Sequence, residues 1–366
     1  MTKTVVVAGG AGFIGCNFVR AVLARTGWHV VVLDKLTYAG NLLNLADVAA
    51  RPRYAFVRGD IGDPRVVRPL LESCRPFAIV NFAAESHVDR SIDGPRSFLE
   101  TNVVGTFELL DAARSFWLQL KDGEREAFRF LHVSTDEVYG SLGETGHFTE
   151  ETAYSPNSPY AASKAASDHF VHAYHQTYGM PTVVTNCSNN YGPFQFPEKL
   201  IPLTILKALS GKSLPIYGDG GNVRDWLYVE DHCAALLTVL QHGRVGVKYN
   251  IGGRSERTNL QVVAEVCAAL DHLLPSQHNP ALMSSGISNY FDLRTFVRDR
   301  PGHDRRYAID SSLVEKELRW TARVGFHEGI RNTVEWYVQN SEWCHAVCGG
   351  TYGGERLGRA VEHGAP

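Results

Sequence analysis

Val5-Val6-Val7-Ala8-Gly9-Gly10-Ala11-Gly12-Phe13-Ile14-Gly15 is a short apolar run that passes into glycines at three-residue spacing. Uninterrupted valine is the pattern of a parallel strand covered on both faces. Gly9, Gly12 and Gly15 permit a tight turn and a close approach of backbone to a bound group, and Cys16 to Arg25 then reads as a helix. The amino terminus of that helix offers unpaired N–H groups and the positive end of a dipole, which suits a pyrophosphate. His29 to Asp34 is a second strand ending in a carboxylate. An acid about 20 residues past such glycines accepts from the adenosine ribose hydroxyls of a dinucleotide. An anionic Asp34 repels a 2′-phosphate, which favours NAD over NADP. A glycine loop alone is an ordinary turn; the strand before it, the helix after it and Asp34 make it a cofactor loop.

The rhythm continues. Tyr54 to Ile61, with Asp60 near its end, is a third strand, Ala78 to Ala84 a fourth and Phe128 to Ser134 a fifth. Strands alternating with helices predict an α/β fold, a Rossmann-type doubly wound parallel sheet. Ligands of such sheets sit at the carboxyl ends of strands, where Asp34, Asp60, Ser86 and Ser134 to Glu137 fall. Two segments read as long helices, Arg96 to Leu120 and Tyr160 to Tyr178. The first is apolar on more than one face, so a partner subunit is expected to cover one of them, giving a homodimer through 96–120 and 160–178.

After Tyr178 the composition shifts to Pro-, Gly- and aromatic-rich pieces, which predicts a smaller, loop-rich α/β substrate lobe. The expected division is a Rossmann domain over 1–180, a lobe over 181–225 and 256–353, strand-like returns to the first domain near 226–255, and a flexible tail over 354–366. Residues 276–295 have weak periodicity and receive no assignment.

The chain has 366 residues, 44% of them hydrophobic, and a net charge of -3. It has no global basic field for nucleic acid and no run near the ~18 apolar residues that span a bilayer. Seven dispersed cysteines and no secretory pattern at the start read as reduced thiols in a cytoplasmic protein. Cys344, His345 and Cys348 lack further ligands at zinc spacing, so no metal is expected.

The chemistry concentrates in Ser134-Thr135-Asp136-Glu137 and Tyr160-Ala-Ala-Ser-Lys164. Tyr160 and Lys164 stand one helical turn apart on one face. Free tyrosine, with a pKa of about 10, is too weakly ionised to act as a base at neutral pH. A nearby ammonium and the positive nicotinamide ring are expected to stabilise its phenolate. Tyr160 can then take a proton from a sugar hydroxyl as hydride leaves the same carbon. Adjacent acids usually mark a solvated turn. Asp136 and Glu137 instead follow the strand end nearest the hydride chemistry, so they read as a further acid and base, enough to remove a proton and expel water.

With these residues in place, the chain resembles the extended short-chain dehydrogenases/reductases, and among them the dTDP-glucose 4,6-dehydratase family. The resemblance rests on GGAGFIG, DKLTYAGNL (34–42), AAESHVDRSI (83–92), STDEVYG, SPYAASKAASDH, NCSNNYGPFQFPEKLIP, LPIYGDGGNVRDWLYVEDH, NIGG and DRPGHDRRYAID, spread over nearly the whole chain. It implies that Tyr160 makes the 4-ketone with a tightly bound NAD, Glu137 removes the 5-proton, Asp136 protonates the departing 6-hydroxyl, Thr135 holds the 4-oxygen and hydride returns to the 6-position. It implies a cofactor site of Gly9, Gly12, Phe13, Ile14, Gly15, Asp34, Lys35, Leu36, Thr37, Asp60, Ile61, Phe82, Ala83, Ala84, Ser86, Thr101, Tyr160, Lys164 and Asn189. For dTDP-glucose it implies Ser86, Thr135, Asn189, Asn190, Glu198, Lys199, Leu200, Pro215, Tyr217 and Arg224. Asn259, the Asp299–His303 segment with Arg298 and His303, and Tyr352 are to close that site.

One departure is Ala8, where the family often has Thr; the loop Ser141 to His147 is also short. The rival readings are a UDP-sugar 4-epimerase, which shares Tyr160, Lys164 and NAD but has no use for Asp136 with Glu137, a GDP-mannose 4,6-dehydratase, and a non-catalytic NAD-fold binding protein.

Overall fold

The computed structural model describes residues 3–283 and 285–349; Tyr352 and the tail over 354–366 lie outside the described residues. Among the described residues there are twelve strands: β1 Thr4–Ala8, β2 His29–Asp34, β3 Tyr54–Arg58, β4 Ala78–Asn81, β5 Arg129–Thr135, β6 Thr182–Cys187, β7 Asn189–Tyr191, β8 Leu214–Tyr217, β9 Val223–Tyr228, β10 Lys248–Ile251, β11 Glu256–Thr258 and β12 Arg294–Val297. Seven form one parallel sheet in the order β10-β6-β5-β4-β1-β2-β3. This is the Rossmann-type sheet that the alternation implied. Its inner strands are hydrophobic throughout because helices cover both faces. Val5, Val7, Val32 and Val80 pack on one side, and Val6, Leu33, Ile79 and Phe130 on the other.

The strand order reverses between β1 and β4, which opens a crevice at their carboxyl ends. Gly9 sits there with φ +74°, and a Cβ on it would stand 2.5 Å from the Ala83 nitrogen. A Cβ on Gly15 would stand 2.3 Å from the Gly9 carbonyl oxygen, so the helix Phe13–Arg25 can lie against the turn only because that atom is missing. No side chain caps this helix, and its first N–H groups face the crevice loop.

The expected helix Arg96 to Leu120 is broken into pieces. Pro95–Phe98 is α-helical, Leu99–Gly105 widens into a π-helix and Thr106–Leu118 returns to α. The wide turn lets Asn102 reach back: its amide donates to the Glu85 carbonyl at 2.9 Å and to Ser163 Oγ at 2.8 Å. Periodicity does not show this, because the segment is apolar on more than one face, which masks the phase shift of about 100° that an extra residue introduces. The other long helix is Pro159–Tyr178. Ser158 caps its start by accepting from the Ala161 N–H, Pro159 opens it, and Gly179 ends it in the left-handed region.

The carboxyl-terminal part has its own core, where Ile205, Val262, Val266, Tyr290, Ile330 and Val334 are buried together. Its small sheets are β11-β9-β7 and β12-β8. Of the two segments read as returns to the first domain, Lys248–Ile251 pairs with β6 in the large sheet, while Trp226–Tyr228 belongs to the three-stranded one. Residues 276–295, which gave no pattern, form short turns at Ser276–His278 and Tyr290–Leu293 and begin β12. They are held by side-chain bonds to backbone: Tyr290 donates to the Leu274 carbonyl at 2.9 Å and Asn279 to that of Leu209 at 2.9 Å.

Candidate active site

A cleft of about 390 Å³ runs from the glycine turn, past Thr135, Asp136, Glu137 and Tyr160, to Pro215, Tyr217 and Arg224. A smaller cavity of about 80 Å³ continues from Gly9 and Gly12 to Asp34, Asp60 and Thr101.

The smaller cavity has the form of an adenosine site. Asp34 is 8% exposed, and its carboxylate accepts from the Ala11 N–H at 2.9 Å and the Leu36 N–H at 2.8 Å. Leu36 carries φ +59° to make that contact. Each carboxylate oxygen accepts more than one donor, so Asp34 keeps acceptor capacity for ribose hydroxyls. Lys35 donates to Thr101 Oγ1 at 3.0 Å and lies 3.3 Å from Asp60. Thr37, Ile61, Ala83 and Ala84 also line it. The uncapped helix start and the glycines without Cβ atoms leave backbone N–H groups for a pyrophosphate. The residues present therefore fit a dinucleotide.

The catalytic candidates meet where β5 ends. Thr135 caps the 3-10 turn Asp136–Tyr139: its hydroxyl accepts from the Glu137 N–H at 3.2 Å and donates to Asp136 Oδ1 at 3.3 Å. This aims Asp136 and Glu137 into the cleft beside Tyr160, which opens the helix Pro159–Tyr178. Asp136 is 1% exposed, and its Oδ2 has no hydrogen-bond partner among the described residues. Burial drives its pKa well above the ordinary carboxylate value, and Glu137 and Asp225 push the same way. Burial also raises Glu137, but there the next influences are the cations Arg300, Lys199 and Arg224, which pull it down. The two neighbouring acids thus differ in their surroundings: Asp136 faces acids more than bases, Glu137 faces three cations.

Tyr160 and Lys164 differ from the sequence expectation. The Tyr160 phenol is held well above its ordinary pKa, first by burial and then by Glu137, with a hydrogen bond to Thr135 acting against the rise. Lys164 is not among the principal charges on it. Its ammonium instead donates to the Val133 carbonyl at 3.0 Å and lies 3.2 Å from His132 Nε2. The i, i+4 spacing places both residues on one face, but lysine has a long stem and the strand backbone offers a nearby acceptor.

In the outer part of the cleft, Arg224 is 5% exposed, stacks 4.1 Å over the Tyr307 ring and donates to the carbonyls of Val223 and Asp304 at 2.7 and 2.9 Å. Lys199 donates to the Ser86 carbonyl at 2.7 Å. Ser86, Asn189, Leu200, Asn259 and His303 also line the cleft. Asn190 lines it, but its amide is tied elsewhere, donating to the Ser188 carbonyl at 2.9 Å while its oxygen meets His232 Nδ1 at 2.9 Å. Glu198 is anchored to Arg90 at 2.8 Å and to Tyr38 at 3.0 Å, so it braces the cofactor loop as well as lining the cleft.

Of the segment 298–303, Arg298 and Asp299 are not cleft-lining; Asp299 holds His303 Nδ1 at 2.6 Å. Arg300 is the arginine that enters, paired with Asp89 at 3.2 Å. Sequence reading missed Arg300 as an individual residue, and also His87, Asp89 and Tyr307. The motifs around residues 83–92 and 299–310 were the available signal, but which side chain of a motif points inward is set by the turn.

A family model described as GDP-mannose 4,6 dehydratase matches residues 6–333. The dTDP-glucose 4,6-dehydratase of Xanthomonas campestris pv. campestris (strain B100) is 58% identical over 98% of this chain and 99% of its own. That of Escherichia coli is 51% identical over 97% and 99%. The crystal structure of the Streptomyces venezuelae dTDP-glucose 4,6-dehydratase with NAD and TYD bound superposes with a TM-score of 0.83 at 46% identity, covering 94% of this chain and 100% of that one. A Thermotoga maritima UDP-glucose 4-epimerase shares the fold with a TM-score of 0.78 over 93% of this chain and 100% of its own, at only 25% identity. The site with two acids beside a tyrosine and these full-length likenesses agree: the chain belongs to the dTDP-glucose 4,6-dehydratase family of the extended short-chain dehydrogenases/reductases.

Proposed function

We propose that the residues described above carry out a three-stage conversion of dTDP-glucose to dTDP-4-keto-6-deoxyglucose and water. The chain is an NAD-dependent hydro-lyase of this family. The observation that carries the assignment of steps is the unequal setting of Asp136 and Glu137 in one cleft with Tyr160. The smaller cavity and glycine turn would hold NAD, which when bound would supply the hydride acceptor for the 4-position and the hydride donor for the 6-position.

Tyr160 takes the proton of the 4-hydroxyl as the ketone forms, with Thr135 hydrogen-bonded to the same oxygen. Lys164 would hold the nicotinamide ribose. The ketone acidifies the neighbouring 5-position. Glu137, whose pKa burial raises while Arg300, Lys199 and Arg224 limit the rise, removes that proton. Asp136, kept protonated by burial, gives its proton to the departing 6-oxygen, which leaves as water. Glu137 returns its proton to the 5-position as the 6-position is reduced, Tyr160 releases to solvent the proton it took from the 4-hydroxyl, and Asp136 is reprotonated from solvent.

Arg224, Arg300 and Asn259 are assigned to the diphosphate side of the substrate, and Pro215 with Tyr217 to the base. Asn189 and Ser86 lie between the sugar and the cofactor. The first 180 residues with the returning strand 248–251 act as the cofactor domain, and the remainder as the nucleotide-sugar lobe. The protein works as a cytoplasmic homodimer. Supporting the dimer, Leu99, Val104, Phe107, Phe170 and Tyr178 are exposed on the helices Leu99–Leu118 and Pro159–Tyr178, and Phe107 meets Phe170 at 6.0 Å between ring centroids. Large apolar groups gathered this way mark an interface.

Incubation of the purified protein with dTDP-glucose and no added nucleotide is the test. A 4-keto-6-deoxy product, formed with catalytic turnover, is expected. A 4-epimer or unchanged substrate would overturn the assignment.

A further inference from the structure

The turn after β2 folds over the cofactor cavity. A Cβ on Gly40 would stand 2.8 Å from Asp34 Oδ1, and Thr37, Ala39 and Gly40 line the smaller cavity. Ala39 lines the larger cleft as well, so residues 37–40 lie along the seam between the two. Tyr38 is the side chain that ties this turn to a distant segment. A phenol is protonated at neutral pH, and that of Tyr38 donates to Glu198 Oε1 at 3.0 Å. The Glu198 side chain is 2% exposed, and its other oxygen accepts from Arg90 Nε at 2.8 Å. Arg90, on the helix Val88–Asp93, also stacks 4.1 Å over the Tyr38 ring. A buried carboxylate is destabilising unless it is paired, and here both oxygens are paired. Glu198 itself comes from the segment between β7 and the helix Leu200–Leu209. Its neighbour Lys199 lines the cleft and donates to the Ser86 carbonyl at 2.7 Å, and the Glu198 carbonyl lies 3.4 Å from His87 Nε2. Two successive residues thus hold the turn after β2 and the turn after β4 at once.

From this geometry we infer that Tyr38, Glu198 and Arg90 are positioning residues that latch the turn 37–40 shut over the cofactor, and that nucleotide in the substrate cleft tightens the latch. The inference rests on the placement of NAD in the smaller cavity given above. The reaction proposed there lends a hydride and takes it back, so a turnover succeeds only if the reduced cofactor stays in place between the two stages. To open the turn, Tyr38 must leave a buried carboxylate and the stacked guanidinium. A nucleotide seated against Lys199 and Leu200, which line the cleft, fixes the segment that carries Glu198. Ligand in the cleft therefore holds the latch, and by linkage the closed latch favours the ligand.

The test measures release of bound cofactor rather than turnover. Holoenzyme is mixed with excess radiolabelled NAD, and exchange is followed by rapid gel filtration with and without thymidine diphosphate. Tyr38→Phe keeps the ring and removes the hydroxyl. It is expected to speed exchange about tenfold, the scale of a lost hydrogen bond to a charged group. Thymidine diphosphate is expected to slow exchange roughly fivefold or more in the parent and to lose most of that effect in Tyr38→Phe. Glu198→Gln should speed exchange at least as much, and adding Tyr38→Phe to it should speed it little further, because the contact is already broken. Exchange in Tyr38→Phe at the parent rate, additive effects in the double variant, or undiminished slowing by thymidine diphosphate would overturn the latch. A packing role would lower the melting temperature of each variant and leave these rates in place, and failure of both single variants to fold assigns that same role. Asp34→Asn, inside the cavity, separates the two readings. It should speed exchange while thymidine diphosphate still slows it. If Asp34→Asn exchanges at the parent rate, the placement of NAD fails and the latch with it; faster exchange in Asp34→Asn beside unchanged exchange in Tyr38→Phe overturns the latch alone.

Discussion

Asp136→Asn separates the stages of the reaction. The side chain has almost the same shape, so packing in its fully buried setting is preserved. What is lost is the acidic proton, because an amide donates hydrogen bonds but does not give up a proton to a leaving group. General acid catalysis typically supplies a factor of about 10²–10⁴, so elimination is expected to slow by that factor, about 3–5 kcal/mol in its barrier. Oxidation at the 4-position depends on Tyr160 and is expected to change by less than about threefold. In a stopped-flow single turnover with dTDP-glucose, NADH absorbance should therefore rise at nearly the parent rate and then persist, where in the parent it decays. The swap is neutral for neutral, so the melting temperature at pH 7 should stay within about 2 °C of the parent. The pH dependence of stability carries a definite sign. A carboxyl whose folded pKa is raised binds its proton more tightly when folded, so its stabilisation is full below the ordinary carboxylate value and is lost as pH climbs through the folded one. That part of the parent's slope should vanish in Asp136→Asn. If NADH formation falls in step with elimination, or if the variant is stabilised by several kcal/mol as relief of a buried unpaired anion would require, then Asp136 is not the resting acid.

Arg300→Gln should raise KM for dTDP-glucose and move the acidic limb of the elimination step to higher pH, since Arg300 is the foremost charge holding Glu137 down; Arg298→Gln should leave that limb in place, and equal effects would count against the placement of Arg300. Gly15→Ala puts a Cβ 2.3 Å from the Gly9 carbonyl; overpacking of this kind costs about 1–3 kcal/mol, seen as a lower melting temperature and loss of co-purifying NAD, and a variant that retains both would refute the close-packed turn. Phe107→Asp, on the exposed apolar face, should give monomers by sedimentation equilibrium, and an unchanged dimer would place the interface elsewhere.

Much of this protein is determined locally. Val5 to Gly15 and Asp34 specify the first strand, turn, helix and second strand through neighbouring residues alone, because an unbroken apolar run and the missing Cβ atoms act at short range. Thr135, Asp136, Glu137, Tyr160 and Lys164 were legible for the same reason: they sit at a strand end and a helix start whose bounds the sequence marks. Tertiary structure decided what depends on approach between distant segments. The π-helical turn at Leu99–Gly105 comes with bonds from Asn102 to Glu85 and Ser163, residues distant in the chain. The sequence offers Arg298 and Arg300 with equal weight, and only packing against Asp89 turns Arg300 inward. The surroundings of the two acids are likewise a tertiary matter: burial raises both, but Glu137 and Asp225 add to the rise at Asp136, whereas cations brought from residues 199, 224 and 300 oppose it at Glu137. Charge interactions act through space and depend on burial, so no spacing along the chain records them.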